Sequence, residues 1–226
     1  MKNNTLAEVA AALKKAKTVA VACHIRPDGD AIGSGLALCT ALKNAGKTAY
    51  MLCEEAPPER LCIFPATKTT YQQLPVDLKE IDLFVAVDSA DLPRIGVFAS
   101  QFAAYKGVTL NIDHHVSNPA FAKINYVIAD STATCEIMPE ILEAAGFEIT
   151  SEIANLLAMG LLTDSGNFSH NDVTAKTFTV AAKLKECGAD MCGIGYQMFT
   201  RQSKARARLY VRVLSGIRFA LDDKLA

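Results

Sequence analysis

The side chains best suited to chemistry stand where apolar segments end. His24, Asp28 and Asp30 lie within seven positions in the run HIRPDGD, directly after the apolar stretch Val19–Ala22. One imidazole nitrogen and two carboxylates form a mixed donor set suited to Mn²⁺ or a similar divalent ion. Asp88 ends the apolar run IDLFVAV, Asp113-His114-His115 end the mainly apolar run VTLNI, and Asp164 ends a long apolar stretch. Taken singly, Asp88 and Asp164 also suit a helix cap or a turn, and adjacent histidines also suit a solvated turn. Taken together, in order and each at an element's end, they point to one metal centre. Carboxylates at the ends of buried strands are costly to leave unpaired, and a cation removes that cost.

The pattern around these residues predicts the elements that must position them. Asn4 or Thr5 caps an amphipathic helix over Leu6–Lys15. A buried strand precedes His24, a tight loop carries Pro27 to Asp30, and a small-residue helix runs from Ala31 until Gly46 ends it. Thr48–Cys53 reads as a strand. Residues 54–75 read as loop with a helical turn near Glu59–Ile63. Ile81–Val87 reads as a central parallel strand, 91–102 as a short helical connection, Val108–Ile112 as a strand, and 116–129 as irregular or extended. Helices follow over 132–145, 152–162, 174–187, 191–199 and 203–214, and 216–221 reads as a strand leading into a turn at 222–224. Strands alternating with helices imply an α/β fold built on a doubly wound parallel sheet. In such sheets ligands sit at the carboxyl ends of the strands. Residues 1–200 form the expected catalytic domain, and 201–226 an interdomain helix and the first strand of a truncated second domain.

Bulk properties narrow the function classes. The chain has 226 residues, is 50% hydrophobic and carries 23 basic against 24 acidic residues, a net charge of −1. That balance argues against a broad footprint for long double-stranded DNA. No apolar run approaches the ~18 residues of a membrane span. The seven scattered cysteines form no Cys-x-x-Cys pair, so a zinc–thiolate site is not expected and a reduced, cytoplasmic setting is.

HIRPDGD, VDSAD, DHH and TDSG, in this order, resemble the four motifs of the Asp-His-His (DHH) phosphoesterases. The resemblance spans about Thr18 to Leu184 and is nearest to the bacterial oligoribonuclease, 3′-phosphoadenosine-5′-phosphate phosphatase and cyclic-dinucleotide phosphodiesterase subgroup. It implies two divalent cations, Mn²⁺ first and Mg²⁺ or Co²⁺ as alternatives. His24, Asp28 and Asp88 would hold one, and Asp30, Asp88, His114 and Asp164 the other, with Asp88 bridging. His115 would face the scissile phosphate as a catalytic and substrate-binding group, and Asp113 would orient a histidine from behind. The implied reaction is hydrolysis of a phosphodiester or phosphomonoester by metal-activated water, with a small nucleotide or short RNA as substrate.

Other residues carry weaker expectations. Arg26 suits phosphate contact and solvent equally. Gly33 and Ser34 are expected to let the second helix approach the sheet. Ser131, Thr132 and Thr134 read as a helix cap, and His170 and Asn171 follow Asp164 on a loop. Arg201, Lys204, Arg206 and Arg208 read as the solvated face of the interdomain helix. The Gly-Gly-Gly-His motif of full-length relatives is absent from the sequence, so substrate binding by such a motif does not carry over. This leaves two alternatives, a metal-dependent nucleotide-binding module with little turnover and an inorganic pyrophosphatase. An edge that a second domain would cover also leaves room for a homodimer.

Overall fold

The computed structural model describes residues 3–219 and 222. Six strands form one parallel sheet in the order β3-β2-β1-β4-β5-β6: β1 Thr18–Ala22, β2 Thr48–Leu52, β3 Thr70–Tyr71, β4 Leu83–Val87, β5 Val108–Asp113 and β6 Ile124–Val127. Helices α1 Leu6–Lys15, α2 Gly29–Asn44, α4 Thr134–Ala144 and α5 Ser151–Asp164 contribute to the core on one face. A 3-10 segment, Leu92–Phe98, and α3, Ala99–Ala104, cover the other. The fold is α/β with a doubly wound parallel sheet. The strand order reverses between β1 and β4, which are direct neighbours in register Val19 to Leu83. Crevices at such reversals are where open sheets take ligands.

Period-2 alternation assigns the faces. Val19, Val21, Val85 and Val87 join the core under α2 and α5, whereas Ala20, Ala22, Phe84 and Ala86 pack with Ile95, Phe98 and Phe102. The Phe84 and Phe102 rings meet edge-on, 5.1 Å apart. α2 is buried almost throughout, and its glycines explain how. A Cβ on Gly33 would stand 2.5 Å from the Leu156 carbonyl oxygen, and one on Gly35 would meet the Met51 side chain at 2.4 Å. Gly33 therefore lets α2 approach α5 rather than the sheet, and Gly35 serves the sheet side. Ser34 turns its hydroxyl back to donate to the Asp30 carbonyl oxygen at 2.7 Å.

Three parts of the chain differ from the sequence reading. β3 and β6 fall in stretches read as loop or irregular. β3 has only two residues, and β6 is an edge strand whose outer backbone is covered by Asn3, which donates to the Val127 carbonyl at 2.6 Å and accepts from its N–H at 2.8 Å. Such long-range pairing leaves no local pattern. The strand expected over 216–221 is not found among its described residues: Gly216 ends helix α8, Lys204–Gly216, the Ile217 N–H closes that end on the Leu214 carbonyl at 3.3 Å, and 217–219 form no strand. Residues 220, 221, 223 and 224 lie outside the described residues. α6 Ala175–Glu186 and α7 Met191–Gly195 complete the helices. No helix among the described residues is long and apolar enough to cross a membrane.

Candidate metal centre

Each ionisable residue is placed by a local device. β1 delivers His24, and Asp28 caps α2. Its Oδ1 accepts from the N–H groups of Asp30 and Ala31, both at 3.0 Å, and its Oδ2 faces His24 Nε2 at 3.5 Å. His24 Nδ1 lies 2.7 Å from the Ile25 carbonyl oxygen. A carbonyl only accepts, so Nδ1 carries a hydrogen and Nε2 is the nitrogen turned toward the carboxylates. β4 delivers Asp88 in a left-handed conformation, φ 51°, pinned by its N–H to the Ile112 carbonyl at 2.9 Å. Few non-glycine residues adopt that region, aspartate among the more tolerant, and backbone held there clusters at functional sites.

Asp88 stands at the middle of the cluster. Its Oδ2 is 3.5 Å from His24 Nε2, and its Oδ1 is 3.6 Å from His114 Nε2 and 3.8 Å from His115 Nδ1. His114 fixes its tautomer by donating from Nδ1 to the Ser131 carbonyl at 3.1 Å, and its Nε2 faces Asp164 Oδ2 at 3.3 Å. Asp164 arrives at the last position of α5. Asp30 is fully buried and accepts from the N–H groups of Thr134 at 2.6 Å and Cys135 at 2.8 Å.

That last contact corrects the expectation for α4. Its N-cap is Ala133 with no side-chain bond, and Asp30 from α2 occupies the helix start. An aspartate reaching from another element satisfies those N–H groups better than a local hydroxyl, and its charge is favoured at the positive end of a helix. Thr134 is freed to donate its hydroxyl to Asp88 Oδ1 at 3.1 Å, a contact with the cluster that sequence spacing did not reveal. Thr132 instead bonds the Asp172 carbonyl and the Thr177 hydroxyl, each at 2.9 Å.

The electrostatics show what the cluster lacks. Burial lowers the affinity of His24 for a proton, but hydrogen bonds to Asp28 and Asp88 more than reverse this and carry its pKa to about 10. Burial, with Asp88 and Asp28 nearby, raises Asp164 to about 6 against the opposing pull of His114. Burial and the charges of Asp88 and Asp164 push Asp30 well above the ordinary carboxylate range. Burial also raises Asp28, but His24 and the N–H groups at the start of α2 overcome it and leave its pKa lowered. Among the described residues no lysine or arginine pairs with any of these carboxylates; Asp28, Asp88 and Asp164 face imidazoles, and Asp30 accepts backbone N–H groups. Four clustered carboxylates with no lysine or arginine partner fit added positive charge.

The donor atoms fit it geometrically. Three groups each offer ligand atoms within 4.8 Å of one another: His24, Asp28 and Asp88; Asp30, His114 and Asp164; and Asp88, His114 and His115. Oxygen donors with imidazoles suit Mn²⁺-like ions. His115 stands at the cluster with its Nδ1 already paired to Asp113, whose Oδ1 lies 2.8 Å away. Asn118 Nδ2 donates to the other Asp113 oxygen at 2.6 Å. Burial raises Asp113, but His115 and Asn118 outweigh it and hold its pKa low, while the same pairing raises that of His115.

The remaining candidates lie outside this core. Arg26 is exposed, has φ 53° and makes no hydrogen bond or ion pair among the described residues. His170 is exposed and donates from Nδ1 to the Asp164 carbonyl at 2.7 Å, and Asn171 is exposed.

Known proteins share this arrangement's sequence and shape. The family described as "DHH family, N-terminal domain" matches residues 18–161. The chain is 36% identical over 200 residues to the bifunctional oligoribonuclease and PAP phosphatase NrnA of Thermus thermophilus, covering 88% of this chain and 59% of that protein. It is 26% identical over 210 residues to a probable protein of the same name from Streptococcus mutans, covering 90% of this chain and 64% of the relative. The crystal structure of an exopolyphosphatase-related protein from Bacteroides fragilis superposes with a TM-score of 0.88 at 26% identity, over 96% of this chain and 66% of that one. The chain thus spans about three fifths of the length of these curated relatives.

Proposed function

We propose that this chain, which belongs to the DHH family through its N-terminal domain, is a metal-dependent phosphoesterase. Its substrates are short oligoribonucleotides, cyclic dinucleotides or nucleoside 3′,5′-bisphosphates. The observation that carries the reading is Asp88, whose two carboxylate oxygens face different imidazoles, Oδ2 toward His24 and Oδ1 toward His114. A carboxylate presented in both directions suits two neighbouring cations. On this reading His24, Asp28 and Asp88 hold one ion and Asp30, Asp88, His114 and Asp164 the other. Mn²⁺ is the first choice for the donor set, with Mg²⁺ or Co²⁺ as alternatives. Relatives bearing the name oligoribonuclease and PAP phosphatase support the substrate class.

When bound, paired divalent ions supply a hydroxide at neutral pH and neutralise charge on the phosphoryl oxygens. The chain's own residues do the rest. Asp88 and Asp28 would present their ligand oxygens from fixed positions, because Asp88 is anchored through its backbone and Asp28 through N–H bonds. His115, whose pKa Asp113 raises, would donate to a phosphoryl oxygen or to the departing oxygen as charge develops there. Asp113 and Asn118 hold that imidazole in place. Arg26 stands free beside the first motif to meet phosphate. Residues 1–200 carry all of these groups and form the catalytic domain.

The test is hydrolysis by the Mn²⁺-loaded chain of a ribodinucleotide, a nucleoside 3′,5′-bisphosphate and pyrophosphate, beside Asp88→Ala and His115→Ala. Turnover of the nucleotides, abolished by chelation and by Asp88→Ala, is expected. Tight metal and nucleotide binding with hydrolysis no better than Asp88→Ala would instead assign a binding module, and preference for pyrophosphate a pyrophosphatase.

A further inference from the structure

A second feature beside the cluster is not explained by metal binding. Asp28, Thr163 and Asp164 line a recess of about 210 Å³ together with Arg60, Met198 and Phe199. Arg60 also lines a larger open groove of about 800 Å³, with Glu59, Phe64, Lys68, Asp190 and Arg201. Arg60 is the residue that the recess and the larger groove share. The groove's volume falls in the range of about 300–1,000 Å³ typical of small-molecule sites.

Arg60 is exposed and makes no hydrogen bond or ion pair among the described residues, although it shares the recess with two carboxylates. Those carboxylates are already committed to the cluster, Asp28 to His24 and Asp164 to His114. The guanidinium is thus available to an anion that enters the recess. A guanidinium suits phosphate because its planar fork donates two hydrogen bonds at once.

The segment that brings Met198 and Phe199 to the recess has an unusual backbone. After α7 the chain makes a π-turn over Tyr196–Thr200, closed by the Arg201 N–H to the Tyr196 carbonyl at 2.8 Å. Single π-turns recur at functional sites. This one carries Met198 and Phe199 to the recess, leaving Phe199 38% exposed. An exposed ring in a cleft that also holds a guanidinium is a stacking surface for a nucleobase.

We propose that Arg60 and Phe199 form a nucleotide subsite adjoining the metal cluster, in which Arg60 binds a second phosphate of the substrate, next to the one being cleaved, and Phe199 stacks on a base. This rests on the phosphoesterase reading and sharpens it: the site selects nucleotides with two phosphates over those with one. An internucleotide phosphate and the second phosphate of a nucleoside bisphosphate present the same chemistry to Arg60. Lys68 and Arg201 add cations to the larger groove, which Glu59 and Asp190 also line.

The experiment compares wild type, Arg60→Gln, Arg60→Lys and Phe199→Ala. Calorimetry with Mn²⁺ present titrates a phosphorothioate-linked dinucleotide carrying a 5′-phosphate, adenosine 3′,5′-bisphosphate and adenosine 5′-monophosphate. Steady-state kinetics separates KM from kcat for the first two as natural phosphates. Wild type is expected to favour both two-phosphate ligands over the monophosphate. Arg60→Gln should weaken the two-phosphate ligands by about 10–100-fold, the range of one charge-assisted pair, and erase the preference, with the loss in Kd and KM. Arg60→Lys should restore part of it. Phe199→Ala should weaken all three ligands, by about 5–100-fold for one lost stack. A response to only one two-phosphate ligand keeps the subsite and identifies its source. Equal weakening of mono- and two-phosphate ligands by Arg60→Gln, or none, with normal metal content, overturns the proposal. Binding is read apart from turnover, so an inactive wild type that still shows the Arg60-dependent preference refutes the phosphoesterase reading and leaves the subsite standing.

Discussion

Gly160, a residue outside every metal-binding motif, is expected to control the position of Asp30. It lies in α5, and a Cβ there would stand 2.3 Å from Cys135 Sγ and 2.9 Å from both Asp30 Cα and Asp30 Oδ1. Asp30 cannot yield cheaply, because the N–H groups of Thr134 and Cys135 hold both its oxygens. Overpacking of this kind costs about 1–3 kcal/mol, and two of the three contacts being on an anchored residue places Gly160→Ala near the upper end. A helical Gly→Ala change returns about 1 kcal/mol through backbone entropy. The net loss is about 2 kcal/mol, or roughly 4–8 °C in Tm for a chain of this size. Thermal unfolding with and without Mn²⁺, with metal stoichiometry, reads both stability and the displacement of Asp30. Gly216→Ala, where a Cβ meets nothing within 4 Å, should show no loss. Adding Cys135→Ala should recover part of the Gly160→Ala deficit, because the two sites couple through the contact. A Gly160→Ala protein that melts within about 1 °C of wild type and binds the same number of ions would show that the close approach of α5 does not set the site.

Other perturbations read different parts of the cluster. Saturating Mn²⁺ at about 1,000 times its Kd should add about 4 kcal/mol of stability, raising Tm by roughly 8–16 °C, and Asp88→Asn should lose most of that rise. Metal binding should release protons, because His24, at about 10 without metal, must give up its proton to become a ligand. Release measured in weak buffer should be at least one proton at pH 8 and larger at pH 5.5, where Asp164, at about 6, is also protonated; release that does not change with pH refutes this. Thr134→Val, which removes the bond to Asp88 Oδ1, should weaken metal affinity by about 10–100-fold with little change in fold. The Asp113–His115 pair should shape stability against pH. Asp113, lowered from 3.8, stabilises above that value and loses its effect as pH falls through its folded pKa; His115, raised from 6.5, stabilises fully below 6.5 and loses its effect as pH rises through its own. The pair therefore contributes most between pH 3.8 and 6.5. Subtracting the stability profile of Asp113→Asn from wild type should show a maximum in that window, and a flat difference would count against the pairing.

Residue order alone marks which side chains stand at element ends. An apolar run closed by a charged residue is a local pattern, so the ends of β1, β4, β5 and α5, with His24, Asp88, Asp113-His114-His115 and Asp164, were legible from hydropathy alone. So were α1 and the parallel, doubly wound sheet. What only tertiary structure decided is non-local. The order that makes β1 and β4 neighbours, the edge strand β6 covered by Asn3 and the capping of α4 by Asp30 across 104 positions depend on which segments meet. Pairing between distant strands and a cap donated from another helix leave no trace in residue spacing. The same is true of Gly33 and Gly160, whose lack of a side chain matters only because α2 and α5 pack against each other there. Arg60 and Phe199 lie far apart in the chain, and only folding puts them on one recess beside Asp28 and Asp164.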